Sequence, residues 1–369
     1  MHQIPIYRLL VLVAVCLCGA GAQQAPAIDE IERSYALSML RDGLSELKKS
    51  YYDPTFNGVD IEARFKEAER RINAASSLNE AMTTVAWALD ALEDSHTFFL
   101  PPPRPYKHSY GWLMQMIGVH CYVTGVQPGT DAETQGLHVG DRIESINGFA
   151  PARESLNKMK YVYNILRPQP ALRLEVRGTD GQLRTLDVRA QLRETKRVVD
   201  LIGEGIWNEI REAETAARLR RHRYYKIADD LMIWKMPQFD LDEGEIADMM
   251  KDVRKHKALI LDLRGNSGGA VETLTLLLGQ FFEHEVKIGD EKRRKETKPQ
   301  IAKRDRHFYG GELIVLVDSE SASAAEIFAR VVQMEKRGRV LGDVSAGAVM
   351  GARIYPFFRG HYRKILYAF

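Results

Sequence analysis

A serine that opens a helix and a histidine that leaves one are the residues of this chain best suited to covalent chemistry. Ser323 stands in Ser319-Glu320-Ser321-Ala322-Ser323-Ala324-Ala325-Glu326, directly after the apolar run Leu313-Ile314-Val315-Leu316-Val317. That order reads as a buried strand running into a helix start, where the first backbone N–H groups have no intrahelical acceptor. A hydroxyl there can attack a carbonyl while the Ala324 N–H and the positive helix end hold the oxyanion that forms. The attack needs a base. His96, in Asp94-Ser95-His96-Thr97, sits in a short turn between an amphipathic helix and a proline-rich stretch, with Ser95 beside it to orient the ring. On local sequence alone, serines at 319, 321 and 323 also suit helix capping, and a lone histidine is more often structural.

A third segment, Asp262-Leu263-Arg264-Gly265-Asn266-Ser267-Gly268-Gly269, follows the apolar run from Ala258. Its glycines let a backbone approach a substrate, and the N–H groups of Gly268 and Gly269 can point at an oxyanion. An ordinary strand-to-helix turn or a phosphate loop are the alternatives. No lysine follows in the phosphate-loop position, which argues against nucleotide binding. Gly347-Ala348-Val349-Met350-Gly351-Ala352 is small and apolar and suits the wall of a substrate groove. Nothing in this chemistry calls for a metal or cofactor.

These residues must be positioned by more than one core, because 369 residues exceed what a single ordinary core supports. A hydrophobic content of 45% and a charged content of 28% are those of a soluble globular protein. A net charge of +2 is too small to imply nucleic acid. The basic clusters, Arg218 to Arg223 and Lys292 to Lys295, read as a solvated helix face and a polar loop. At the N-terminus Arg8 precedes the apolar run Leu9 to Leu17, and Ala20-Gly21-Ala22 ends it. Residues 1–22 are expected to be a secretory signal, which implies a secreted or periplasmic, cell-envelope location and no stable span after cleavage. Cleavage leaves Cys121 without a partner for an internal disulfide, and its apolar surroundings suit a buried small hydrophobe.

Residues 23–105 read as a helical region. Leu37, Leu40, Leu44 and Leu47 share a face, Tyr51-Tyr52-Asp53-Pro54 stops that helix, and a later helix opens on Ser77 with Glu80 and carries Val85, Leu89 and Leu92 inward. Pro101 to Pro105 mark a boundary. Residues 106–195 hold short strand-like runs, among them His120 to Val126, Leu172 to Val176 and Arg184 to Val188. Residues 196–369 alternate strands with helices, which argues for an α/β layer. The polar stretch from His284 to His307 reads as a mobile surface loop.

Gly140-Asp141-Arg142-Ile143-Glu144-Ser145-Ile146-Asn147-Gly148 resembles a PDZ domain. PDZ domains bind extended peptides by strand addition, so the module either captures peptide or braces its neighbour. Asp262 to Gly269, Ser321 to Glu326 and Gly342-Asp343-Val344-Ser345-Ala346-Gly347 resemble the S41 serine peptidases, the C-terminal processing and tricorn-like proteases. The resemblance implies a multidomain α/β protein: an N-terminal helical region, a PDZ-like small β domain and a crotonase-like α/β catalytic core. In the processing branch a lysine stands where this chain has Ala348, and a supporting glutamine where it has Ala352. The tricorn-like branch uses a Ser-His pair, which Ser95 and His96 match. The resemblance therefore implies Ser323 as nucleophile, His96 as base, Ser95 as its helper, and Gly268, Gly269 and Ala324 as oxyanion donors. The expected activity is that of a serine endopeptidase on a protein or peptide substrate, with homo-oligomerisation left open. The tricorn-like branch also uses a glutamate well downstream of the nucleophile, which is not found before Phe369. The catalytic unit is thus expected to be C-terminally incomplete, weakly active or inactive, with an unpaired sheet edge near Arg353 to Tyr355. The rival reading is a non-catalytic PDZ peptide-binding protein derived from such a peptidase.

Overall fold

The computed structural model describes residues 28–102, 104, 106–194, 221–227, 230–350, 353–359 and 362–368. The expected signal segment and the junction expected at 195–196 lie outside the described residues.

The N-terminal unit packs three helices, α1 (Glu30–Ser50), α2 (Ile61–Ala74) and α3 (Leu78–Asp90). Asp29 opens α1 by accepting the Glu32 N–H at 2.7 Å, and Tyr51 closes it in an extended conformation. The buried face is Ala36, Met39, Leu40, Gly43 and Leu47, with Leu37 and Leu44 only partly buried. The core face is therefore turned slightly from the all-leucine stripe, because small residues let α2 and α3 approach closely. Ser77 caps α3 through the Glu80 N–H, but the Glu80 carboxylate reaches back to Ser76 N at 2.8 Å, one residue earlier than a simple capping box. Val85, Leu89 and Leu92 are buried, as their spacing predicts. The chain then turns and enters β1 (Phe98–Leu100).

The second unit is a five-stranded antiparallel sheet. Its order is β3 (Trp112–Ile117), β4 (His120–Val126), β5 (Arg142–Ile146), β6 (Ala171–Arg177) and β7 (Leu183–Arg189), so β3 is an edge. Helix α4 (Asp131–Thr134) and helix α5 (Arg153–Tyr161) complete it, and β2 (Tyr106–Ser109) pairs with β8 (Gln191–Glu194) beneath. Ile143, Ile146, Leu174 and Val176 fill its core. Cys121 is buried there, and burial pushes its thiol up to about 11, so it is a packing residue and not a nucleophile.

The third unit is a sheet ordered β15 (Arg339–Gly342), β14 (Glu312–Val317), β11 (Ala258–Asp262), β10 (Leu231–Lys235) and β9 (Arg223–Ile227). All neighbours run parallel except β9, which is antiparallel to β10. Helices α6 (Glu243–Val253), α7 (Val271–Gly279) and α8 (Ala324–Met334) cover it, with Trp234, Phe239, Phe281 and Phe328 wholly buried among them. This is the expected strand–helix alternation, and its loops leave the C-terminal strand ends where an α/β sheet places its ligands.

Two expectations are corrected. The stretch from His284 to His307, read as a loop, contains a β-hairpin, β12 (Val286–Lys292) with β13 (Thr297–Ala302). Both its faces are largely exposed, so no apolar alternation betrayed it. The stretch after Gly351, expected to lack the final strands, carries two: β16 (Arg353–Arg359) and β17 (Tyr362–Ala368) form a hairpin. Its β17 pairs antiparallel with β1, Phe98 opposite Tyr367 and Leu100 opposite Ile365. The strand that follows His96 is thereby tied to the far end of the chain. In that three-stranded sheet, separate from the S41 sheet, β16 is paired along one side by β17 and stands at an edge among the described residues.

Candidate active site

Ser323 lies where β14 gives way to α8, and its backbone is strained. Its φ of 54° and ψ of −119° lie in a region a non-glycine residue occupies at a cost of about 1–3 kcal/mol. Such strain persists only where the surroundings over-determine the turn. Here the Ser323 N–H donates to Ala348 O at 3.0 Å and to the Glu326 carboxylate at 2.9 Å. The Ala322 N–H donates to Asn266 O at 2.9 Å, and Ser321 Oγ to Leu263 O at 2.8 Å. Of the three neighbouring serines, then, Ser321 ties this turn to β11. Ser319 ties it to the second unit, donating to Met116 O at 2.6 Å.

Glu326 was not singled out from the sequence, although its Ser-x-x-Glu spacing from Ser323 was visible. It is nearly buried and accepts three backbone N–H groups: Ser323 and Ala348 at 2.9 Å each, and Gly347 at 2.7 Å. One carboxylate thus holds both the Ser323 turn and the 347–348 segment. In place of a lysine side chain, position 348 supplies backbone to this lock.

The glycine turn lies against Ser323. A side chain on Gly268, whose φ is 96°, would begin 2.7 Å from Ser323 Cβ and 3.1 Å from Ala324 N, so only glycine fits. Its own N–H, however, donates to Asn266 Oδ1 at 2.7 Å, which takes Gly268 out of the expected donor set. Asn266 is wholly buried and also donates to Met236 O at 2.8 Å. Phe239 N donates to Gly268 O and Ala270 N to Phe239 O, the pattern of a parallel bridge that leaves the Gly269 N–H facing away from Phe239. No described group accepts the Gly269 or Ala324 N–H.

His96 follows α3 on a turn in which Glu93 takes a φ of 49°. Its Nδ1 is 2.9 Å from Ser95 Oγ, the contact expected of a helper. Its N–H donates to Asp94 Oδ1 at 2.7 Å. Burial holds the imidazole below the ordinary histidine pKa, opposed by the charges of Asp94 and Glu326. Glu326, one turn along α8 from Ser323, is one of the two carboxylates whose charge acts on the His96 ring.

The second unit grips the same loops from outside. Gln115 Nε2 donates to Asp318 Oδ2 at 2.8 Å, and Lys160 pairs with Glu320 at 2.7 Å. Arg153 donates to Val344 O at 2.7 Å and pairs with Asp343 at 3.0 Å. A cleft of 710 Å³ opens between α8, β12 and residues 343–349, lined by Ile327, Val340, Val344, Val349 and Glu326 among others, with Ser323 and His96 not among its lining residues.

Comparison with known proteins bears on the units that carry these residues. The model of peptidase family S41 matches residues 231–366. The third unit is an S41 peptidase domain. The PDZ domain model matches residues 108–177, which makes the second unit a PDZ domain. The chain is 25% identical over 272 residues to the tail-specific protease of Haemophilus influenzae, covering 69% of this chain and 36% of that protein. It is 24% identical over 356 residues to the carboxyl-terminal-processing protease of a Picosynechococcus species, covering 92% and 78%. The chain therefore spans little over a third of the first relative's length. Its fold is similar to that of mature CPAF, solved in complex with lactacystin, with a TM-score of 0.66 at 14% identity over 92% of this chain and 90% of that one. At that identity the likeness is one of fold. The S41 domain carries Ser323 and the Gly268 turn, and the helical unit outside the match carries His96. No described helix is long and apolar enough to cross a membrane.

Proposed function

We propose that this chain is a secreted or cell-envelope serine endopeptidase in which Ser323 is the nucleophile and His96 its general base. The observation that carries the reading is the strained, multiply anchored Ser323 turn with unaccepted N–H groups at Ala324 and Gly269. In the proposed step His96 takes the Ser323 hydroxyl proton as Oγ attacks a peptide carbonyl. The Gly269 and Ala324 N–H groups stabilise the resulting oxyanion. The protonated imidazole then returns its proton to the leaving amine, and water repeats the sequence on the acyl-enzyme. Ser95 holds the ring through Nδ1, and the charges of Asp94 and Glu326 stabilise the imidazolium. The cleft beside α8 accepts apolar side chains of the peptide.

The test is hydrolysis of a quenched fluorescent peptide library and of matched ester substrates by the protein and by Ser323→Ala. Peptide cleavage lost in the variant supports the reading. Cleavage of esters alone makes the protein an esterase. Peptide binding without turnover by a protein with intact Ser323 and His96 supports the non-catalytic alternative.

A further inference from the structure

The turn that carries His96 is held from behind by side chains that the proposed reaction does not consume. Asp94 spans it: Oδ1 accepts the His96 N–H at 2.7 Å and Oδ2 accepts the hydroxyl of buried Thr97 at 2.8 Å. The carboxylate thereby fixes the backbone on which the imidazole is mounted.

Tyr51, at the end of α1, is wholly buried, and its phenol lies within the influence of the same carboxylate and of Tyr52. Asn57 Nδ2 donates to the phenol oxygen at 3.1 Å, so the phenolic proton is left for an acceptor, and of the two side chains beside it the Asp94 carboxylate is a stronger acceptor than the Tyr52 hydroxyl. Burial, with the charge of Asp94 added, holds the phenol well above its ordinary pKa, so it remains a donor at any working pH. Asn57 also donates to Leu92 O at 2.8 Å, joining the end of α1 to the end of α3.

The other side of Tyr51 is held by the S41 domain. In the turn of the β12–β13 hairpin, Arg294 Nη1 donates to Tyr51 O at 3.1 Å, and its guanidinium lies 5.4 Å from the Phe56 ring centre. Lys292 lies 5.4 Å from the ring centre of Tyr52. The basic cluster read from the sequence as solvated is thus a strut that crosses from the S41 domain to the helical unit.

We propose that Tyr51 and Asp94 are positioning residues for His96, and that the hairpin tip holds Tyr51 in register with the domain that bears Ser323. The inference rests on the reading of His96 as base. The charged groups facing His96 are Asp94 on its own turn and Glu326 on α8.

The experiment is the second-order rate of labelling by a fluorophosphonate, followed from pH 4 to 9, for the full chain and for Tyr51→Phe, Asp94→Asn, Arg294→Ala and His96→Ala. Tyr51→Phe is expected to lower the plateau rate by between about tenfold and a hundredfold, the scale of a small misplacement of a reacting group, with the acid limb unmoved. Asp94→Asn is expected to lower the plateau similarly and to move the acid limb to lower pH, because a carboxylate that favours the imidazolium is gone. Arg294→Ala, at a hairpin tip outside either core, is expected to show the Tyr51→Phe pattern more weakly, under about tenfold. A merely structural role would lower the melting temperature while leaving the plateau rate of the folded variants, and the acid limb of Asp94→Asn, unchanged. If His96→Ala is silent while the other three label at the unaltered rate with the unaltered limb, the inference is overturned and the base reading stands. If His96→Ala labels normally, or the unaltered protein does not label, both fall.

Discussion

The two halves of the proposed site are held in different ways. The Ser323 turn is fixed by bonds from its backbone and from Ser321 Oγ that run tens of residues away to Asn266, Leu263 and Ala348, and by the triple grip of Glu326. His96 is fixed within its own tetrapeptide by Asp94 and Ser95, with Tyr51 and Asn57 behind. The first half is over-determined and can carry strain. The second depends on a few side chains and on the docking of a separate helical unit. The difference teaches that loss of one support should cost the nucleophile's turn mainly stability and cost the base mainly rate.

The largest effect should come from Ser323→Ala, which removes the attacking atom and is expected to lower peptide hydrolysis on the order of a million-fold with the melting temperature little changed. His96→Ala should come close to it, and residual cleavage approaching that of the intact protein would move the base elsewhere. Next comes Glu326→Gln. Its amide nitrogen must face at least one backbone N–H that the carboxylate accepts. We expect a loss of about 1.5–3 kcal/mol, read in a denaturant titration, with a smaller loss of rate because a charge that favours the imidazolium is gone as well. Asn266→Ala should cost about 1–3 kcal/mol, because the Gly268 N–H loses its acceptor. If either of these two variants lost rate with unchanged stability, the contrast between the two halves would be wrong.

A subtler effect is on pH. His96 must be neutral to act, and burial places its folded pKa below the ordinary histidine value. The acid limb of the rate should therefore fall below about pH 6.5. The sign for stability is the same: with a depressed folded pKa, the contribution is present above the unfolded value and is lost as pH falls through the folded one. The melting temperature of the protein should fall relative to that of His96→Ala as pH is lowered. The smallest effect belongs to Lys160→Ala. It breaks a half-exposed pair with Glu320 and should cost about 0–1 kcal/mol, leaving the grip of Arg153 and Gln115 in place.

What was legible in the sequence was local. The apolar run before Ser323 and the small residues after it dictate a strand entering a helix, and the Ser77 cap and leucine spacing lead to His96. What was not legible depended on groups brought together from afar. Nothing local says that the Glu326 carboxylate will accept Gly347 and Ala348, or that Asn266 will claim the Gly268 N–H. The three-residue β1 carries no periodic signal and becomes a strand only because β17 lies beside it. The β12–β13 hairpin is polar because it projects, which is why it read as a loop and its basic tip as solvated.

The central claim is that Ser323, and neither of the serines beside it, is activated. Its most direct test is the site of covalent attachment of a fluorophosphonate, mapped by mass spectrometry of proteolytic fragments. The prediction is one adduct, on Ser323, absent in Ser323→Ala and strongly reduced in His96→Ala. An adduct on Ser319 or Ser321, or none on an intact folded chain, would contradict it.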